Sequence, residues 1–110
     1  MTSSYFVDKS ECSTHTIFPG VDIHTMAGSH MMLSLVELQP EAIVEAHAHP
    51  HEQLGMLLEG CATFYIGEEQ KTLEAGQMYR IPGGVTHRVV AAKQGAKALD
   101  FFHPVREDYL

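Results

Sequence analysis

The chain has 110 residues, 45% of them hydrophobic and 19% charged, which is the size and balance of one globular domain with one core. Its formal net charge of -7 and seven scattered lysines and arginines argue against nucleic acid as a partner, because phosphate contacts need clustered cations. No apolar run approaches the length of a membrane-spanning helix, and Met1 to Ser10 lacks the basic and apolar regions of a signal peptide, so a soluble cytoplasmic protein is expected. In that compartment Cys12 and Cys61 are expected to be reduced thiols.

Turn-forming clusters punctuate the chain at short intervals: Pro19-Gly20, Gly28-Ser29, Gln39-Pro40-Glu41, Glu59-Gly60, Gly67-Glu68-Glu69, Ala75-Gly76, Pro82-Gly83-Gly84 and Gln94-Gly95. Residues 1–20 read as an N-terminal arm or strand that contributes to a barrel or to a dimer. Predicted strands follow at 21–27, 31–38, 42–48, 53–58, 62–66, 78–81, 87–91 and 96–102, each short and rich in aliphatic and β-branched residues. No helical pattern lies between them, which excludes a parallel βαβ fold and leaves an all-β class, a single small β-barrel or jelly roll over 21–110 with its core at 40–102. The methionines Met26, Met31, Met32, Met56 and Met78 read mostly as adaptable core packing.

Strict alternation over 42–49 predicts one face carrying Ile43, Glu45, His47 and His49, and another carrying Ala42, Val44, Ala46 and Ala48. A face with two histidines is not ordinary core, so it is expected to line a cavity. Gln53 follows shortly, and His87 comes directly after Pro82-Gly83-Gly84-Val85-Thr86, a turn whose glycines allow positive φ and a close reversal. Three imidazoles and a carboxamide make a ligand shell for a divalent ion such as zinc, nickel, iron or copper, with positions left open for a substrate. Glu52 ranks below Gln53 as a ligand because successive strand residues face opposite ways. His51, after Pro50, is expected beside the ligands or in solvent, and His15, His24, His30 and His103 on the surface or the pocket rim.

The segment His47-Ala-His49-Pro-His-Glu-Gln53, followed by Gly60, resembles the first motif of the cupin superfamily. Gly76, Pro82-Gly-Gly84 and His87 match its second motif without a break. Two positions depart from the usual pattern: Gln53 stands where glutamate is the common ligand, and Ala91 where the second motif often ends in asparagine. Three neutral imidazoles and a neutral amide leave a dication's charge uncompensated, which favours Lewis acidity and an anionic substrate. His-x-His-Pro-His-Glu-Gln together with Asp100-Phe-Phe102-His-Pro-Val-Arg106 is similar to the small pectin-degradation cupins of the KdgF type. His103 stands where a small polar residue is commoner in that group.

That resemblance implies a divalent metal (Zn, Ni, Fe or Mn) on His47, His49, Gln53 and His87, and an isomerase that opens unsaturated cyclic monouronates to linear keto forms. It implies Asp100 as the proton-moving group, Arg106 as both a catalytic group and the carboxylate anchor, and Phe102 as an apolar wall against the substrate. A small anionic substrate, a sugar acid, is the expected partner, and a homodimer the expected assembly. Two other readings fit the same ligands. One is a cupin dioxygenase or lyase, with Tyr65 and Tyr79 as candidate proton carriers, and the other is a small-molecule-binding cupin without catalysis.

Overall fold

The structure, a computed structural model, describes residues 5–110. Eight strands follow in chain order: β1 (Ser13–Phe18), β2 (Val21–Ala27), β3 (Met32–Leu38), β4 (Ile43–His47), β5 (Glu52–Ile66), β6 (Glu69–Glu74), β7 (Met78–Ile81) and β8 (His87–His103). Short 3-10 turns occupy Lys9–Glu11 and Glu107–Tyr109. Among the described residues no helix is long and apolar enough to cross a membrane.

Two pairs of predicted strands are each one continuous strand. The expected turns at Glu59-Gly60 and Gln94-Gly95 lie inside β5 and β8. The β5–β8 register slips between Leu57 and Glu59 and again between Gly60 and Ala62. Gly60 and Gly95 take φ of 78° and 76°, the left-handed region that lets a strand bulge without breaking. A Cβ on Gly60 would meet the Gly95 carbonyl oxygen at 2.1 Å, so both glycines also allow close backbone approach. The bulges switch which residues point inward, from Gln53, Gly55 and Leu57 to Ala62 and Phe64 along β5.

These bends explain why the fold is a jelly roll rather than the closed barrel also expected. The ladder runs β1-β2-β3-β8-β5-β6, with β4 on β8 and β7 on β5, and its ends at β1 and β6 do not pair. The C-terminal half of β8 pairs with β3 and the first half of β5, while its N-terminal half pairs with β4 and the second half of β5. Two layers therefore share β5 and β8 and enclose Val21, Ile23, Val36, Leu38, Leu57, Phe64 and Val89. Sequence patterning missed β6 because Leu73 is its one buried residue, as suits a polar edge strand.

The methionines correct another expectation. Met32 is buried, but Met26, Met31 and Met78 are exposed and Met56 is half-buried. Met56 and Met78 pair on the outer side of the sheet, next to the paired Leu54 and Phe101. Alternation places a methionine on one face or the other; only the tertiary layers decide which face is dry.

Candidate metal centre

The expected strict alternation over 42–49 does not hold. Ala42 and Val44 are buried, and so is His49, with His47 half-buried. A register shift between Val44 and His47 rotates the strand by one residue, so the small apolar side chains and then the histidines face the same cavity. His87 opens β8 directly opposite His47. The turn before it is docked on the first histidine segment: the Gly84 N–H donates to the His49 carbonyl at 2.8 Å. A Cβ on Gly83 would lie 2.3 Å from the Pro50 carbonyl oxygen, and Gly84 has φ of 84°. Both glycines are needed to bring His87 against His47 and His49.

One ligand atom from each of His47, His49 and His87 lies within 4.8 Å of the others. Each ring donates from Nδ1 to a backbone carbonyl: His47 to Glu45 at 2.8 Å, His49 to His51 at 3.0 Å and His87 to Val85 at 2.9 Å. A carbonyl only accepts, so the neutral rings carry their protons on Nδ1 and turn Nε2 lone pairs inward. His51 thus contributes its backbone to the site. Burial first, and then neighbouring positive charge, lowers the pKa of His49 and takes His87 down to about 4, which keeps both rings unprotonated near neutrality.

Gln53 sits on the inner side of β5 with Oε1 3.1 Å from His49 Nε2. Glu52 is exposed on the opposite side. The Gln53 side chain also neighbours the Asp100 carboxyl and lowers its pKa. A carboxylate takes donors only, so the amide NH2 faces Asp100 and Oε1 faces the histidines. Two acceptors, His49 Nε2 and Gln53 Oε1, then face each other without a proton between them. A cation completes such a pair, and the donor chemistry of the whole cluster fits a divalent metal.

Asp100 belongs to a cross-strand row, Thr25–Ser34–Asp100–Gly55–Tyr79, that points inward between two less polar rows. The Tyr79 hydroxyl donates to Asp100 Oδ1 at 2.5 Å. It reaches across Gly55, where any Cβ would lie 2.3 Å from both Asp100 Oδ1 and Tyr79 Cζ. Burial raises the Asp100 pKa to about 6, opposed by the bond from Tyr79, by the Gln53 side chain and by the Arg106 charge. Burial, the Asp100 charge and the Asp100 bond push Tyr79 far up. Tyr79 therefore holds its proton and orients Asp100. Residue types do not reveal this, because the slot at Gly55 exists only once β5, β7 and β8 are aligned.

Phe102 meets His49 in a T-shaped contact, ring centroids 5.6 Å apart. Arg106 is buried and stacks over the Tyr109 ring at 3.9 Å and the Phe102 ring at 5.2 Å. Its fork already grips a carboxylate: Nη2 and Nε donate to Asp108 at 2.8 and 3.3 Å. The Tyr109 carbonyl accepts from Thr25 and meets His15 Nε2 at 3.1 Å, which ties the tail across the cavity. His47, Gln53, His87, Asp100, Phe102 and Arg106 all line one cavity of about 50 Å³. Tyr79 lines it too, whereas Tyr65 lies outside it under the Arg88 guanidinium, so the expected proton-carrier role of Tyr65 has no geometric basis. His103 is exposed, and His24 pairs with Glu37 on the surface.

The cupin-domain family profile matches residues 34–102. The chain belongs to the cupin family. This cupin is 28% identical to the pectin degradation protein KdgF of Dickeya dadantii over 108 residues, 96% of this chain and 97% of that one. It superposes on the structure of KdgF from a Halomonas species with a TM-score of 0.85 and 26% identity, covering 99% and 100% of the two chains. A cupin of the RmlC-like type from Shewanella frigidimarina gives a TM-score of 0.88 at 26% identity, covering 98% and 97%.

Proposed function

We propose that this cupin is a metal-dependent isomerase that opens unsaturated cyclic monouronates to linear keto acids. The observation that carries the reading is the meeting, on one cavity wall, of the histidine–glutamine cluster with Asp100, Phe102 and Arg106. Two full-length relatives bearing the KdgF name support it, one of them described as acting in pectin degradation.

His47, His49, Gln53 and His87 would hold the ion, and a bound dication supplies Lewis-acid polarisation of a substrate oxygen. The remaining work falls to the chain's own groups. Ring opening moves one proton off the hemiacetal hydroxyl, breaks the bond between the ring oxygen and the anomeric carbon, and delivers a proton to the unsaturated carbon. Atoms balance without an external reductant or oxidant. Asp100, which accepts from Tyr79, takes and returns that proton in this reading. Arg106 anchors the substrate carboxylate, which must share or displace Asp108 from the guanidinium. Phe102 covers the sugar face and excludes water.

The test is the loss of conjugated ultraviolet absorbance from 4,5-unsaturated galacturonate and its alginate-derived counterpart. Metal-loaded protein should accelerate it, and chelated protein and His87→Ala should not. No acceleration over the spontaneous reaction, with metal demonstrably bound, removes the uronate reading and makes oxygen consumption the next assay.

A homodimer is part of the same proposal. Leu54, Met78 and Phe101 are exposed together on the outer side of the sheet, a surface suited to a second copy. Light scattering should give twice the chain mass, and Leu54→Glu should return it to one.

A further inference from the structure

We propose that Ser34 is a substrate-binding residue whose hydroxyl recognises a hydroxyl group of the bound sugar acid. The inference rests on the uronate reading and deepens it. Ser34 lies on β3 between Thr25 and Asp100 in the polar cross-strand row, and it lines the same cavity. The row behind it, Ile23, Val36, Ala98 and Leu57, is wholly apolar. The row in front holds Met32, Phe102, Gln53 and Ile81.

Its polar neighbours are already satisfied. The Thr25 hydroxyl donates to the Tyr109 carbonyl. The Asp100 carboxyl accepts from the Tyr79 hydroxyl. Ser34 is 1% exposed, and its Oγ has no hydrogen-bond partner among the described residues. A buried hydroxyl without a partner destabilises the fold, and alanine fits the same space without that cost. A serine here weakens the free protein and gains only when something polar enters the cavity. The hydroxyl both donates and accepts, which matches a substrate hydroxyl better than a carboxylate. Arg106 supplies the carboxylate site separately. Together they describe a ligand with an anionic group at the tail side of the cavity and a hydroxylated carbon against β3.

Ser34→Ala tests this with two readouts that a structural serine would move together and a binding serine moves apart. Thermal unfolding of metal-free Ser34→Ala should be unchanged or shifted up by a few degrees. The kcat/KM of the metal-loaded variant on 4,5-unsaturated galacturonate should fall about tenfold, the loss expected for one well-made hydrogen bond. A substrate analogue lacking the contacted ring hydroxyl should be turned over equally by wild type and variant. A drop in melting temperature of about 4 °C or more overturns the proposal, because the hydroxyl then has a structural partner. Undiminished kcat/KM on every hydroxylated substrate overturns it as well. Wild type that binds metal but leaves the uronate unchanged removes the functional reading alone. The unfolding comparison then still decides whether the Ser34 hydroxyl is built for the fold or for a ligand.

Discussion

Replacing Asp108 with asparagine should tighten substrate binding, because Asp108 occupies the guanidinium proposed to anchor the substrate carboxylate. The Arg106 fork donates to Asp108 at 2.8 and 3.3 Å. Two unit charges with centres about 4 Å apart interact by about 1 to 4 kcal/mol between the dielectric limits of water and a protein surface. The Asp108 side chain is 58% exposed against 10% for Arg106, so screening places the pair at the low end, about 1 kcal/mol. At 1.4 kcal/mol per tenfold, that corresponds to a KM lowered by about three- to fivefold. The guanidinium should not wander in the variant, since it stays stacked on Tyr109 and Phe102, and the Tyr109 carbonyl stays tied to Thr25. Initial rates on the unsaturated monouronate, at saturating metal and low salt, give KM and kcat; kcat should be unchanged. A KM that rises instead refutes the reasoning and makes Asp108 the group that aims Arg106 rather than its competitor.

Tyr79→Phe removes one hydroxyl from Asp100 and should lower kcat by about ten- to a hundredfold with little change in KM, while metal affinity weakens through Gln53. Gly55→Ala, whose Cβ collides with both partners, should reproduce both effects, and unaltered kcat in the two variants would sink the positioning role of Tyr79. Leu57→Ala opens the centre of the core at a side chain with 0% exposure and should cost about 2–5 kcal/mol in urea unfolding, with the slope unchanged. Glu37 is held below the ordinary carboxylate range by its hydrogen bonds to Lys9 and His24. A depressed carboxylate stabilises the fold above its unfolded pKa and loses that contribution as pH falls through the folded value. Glu37→Gln should therefore cost up to about 1 kcal/mol near pH 6, and the difference should vanish in acid; a constant difference across that range would refute the linkage.

Much of this site is legible in the chain. His47, His49, Gln53 and His87 are recognisable because a ligand set needs particular residue types at particular spacings, and the Pro82-Gly83-Gly84 turn announces its own geometry. The two glycines turn out to be required by a 2.3 Å approach to Pro50 and by a φ of 84°. Asp100, Phe102 and Arg106 stand in the chain as a pattern, and the structure brings them to the same cavity.

What stayed hidden depends on register. Alternation alone cannot show the shift after Val44 that turns Val44 and His47 towards the same space. Nor can turn propensity separate a hairpin from a bulge, so Gly60 and Gly95 read as ends of strands that continue through them. Asp108 in the grip of Arg106, Tyr79 reaching Asp100 over Gly55, and the unpartnered Ser34 all arise from residues brought together by strand pairing and by the returning tail. The sequence by itself determined the all-β class and the donor residue types that gather at the cavity, since these follow from local periodicity and donor chemistry. Tertiary structure decided which faces are buried, which hydrogen bonds are already taken and which polar atom is left over, because those depend on the distance between chain segments and not on their composition.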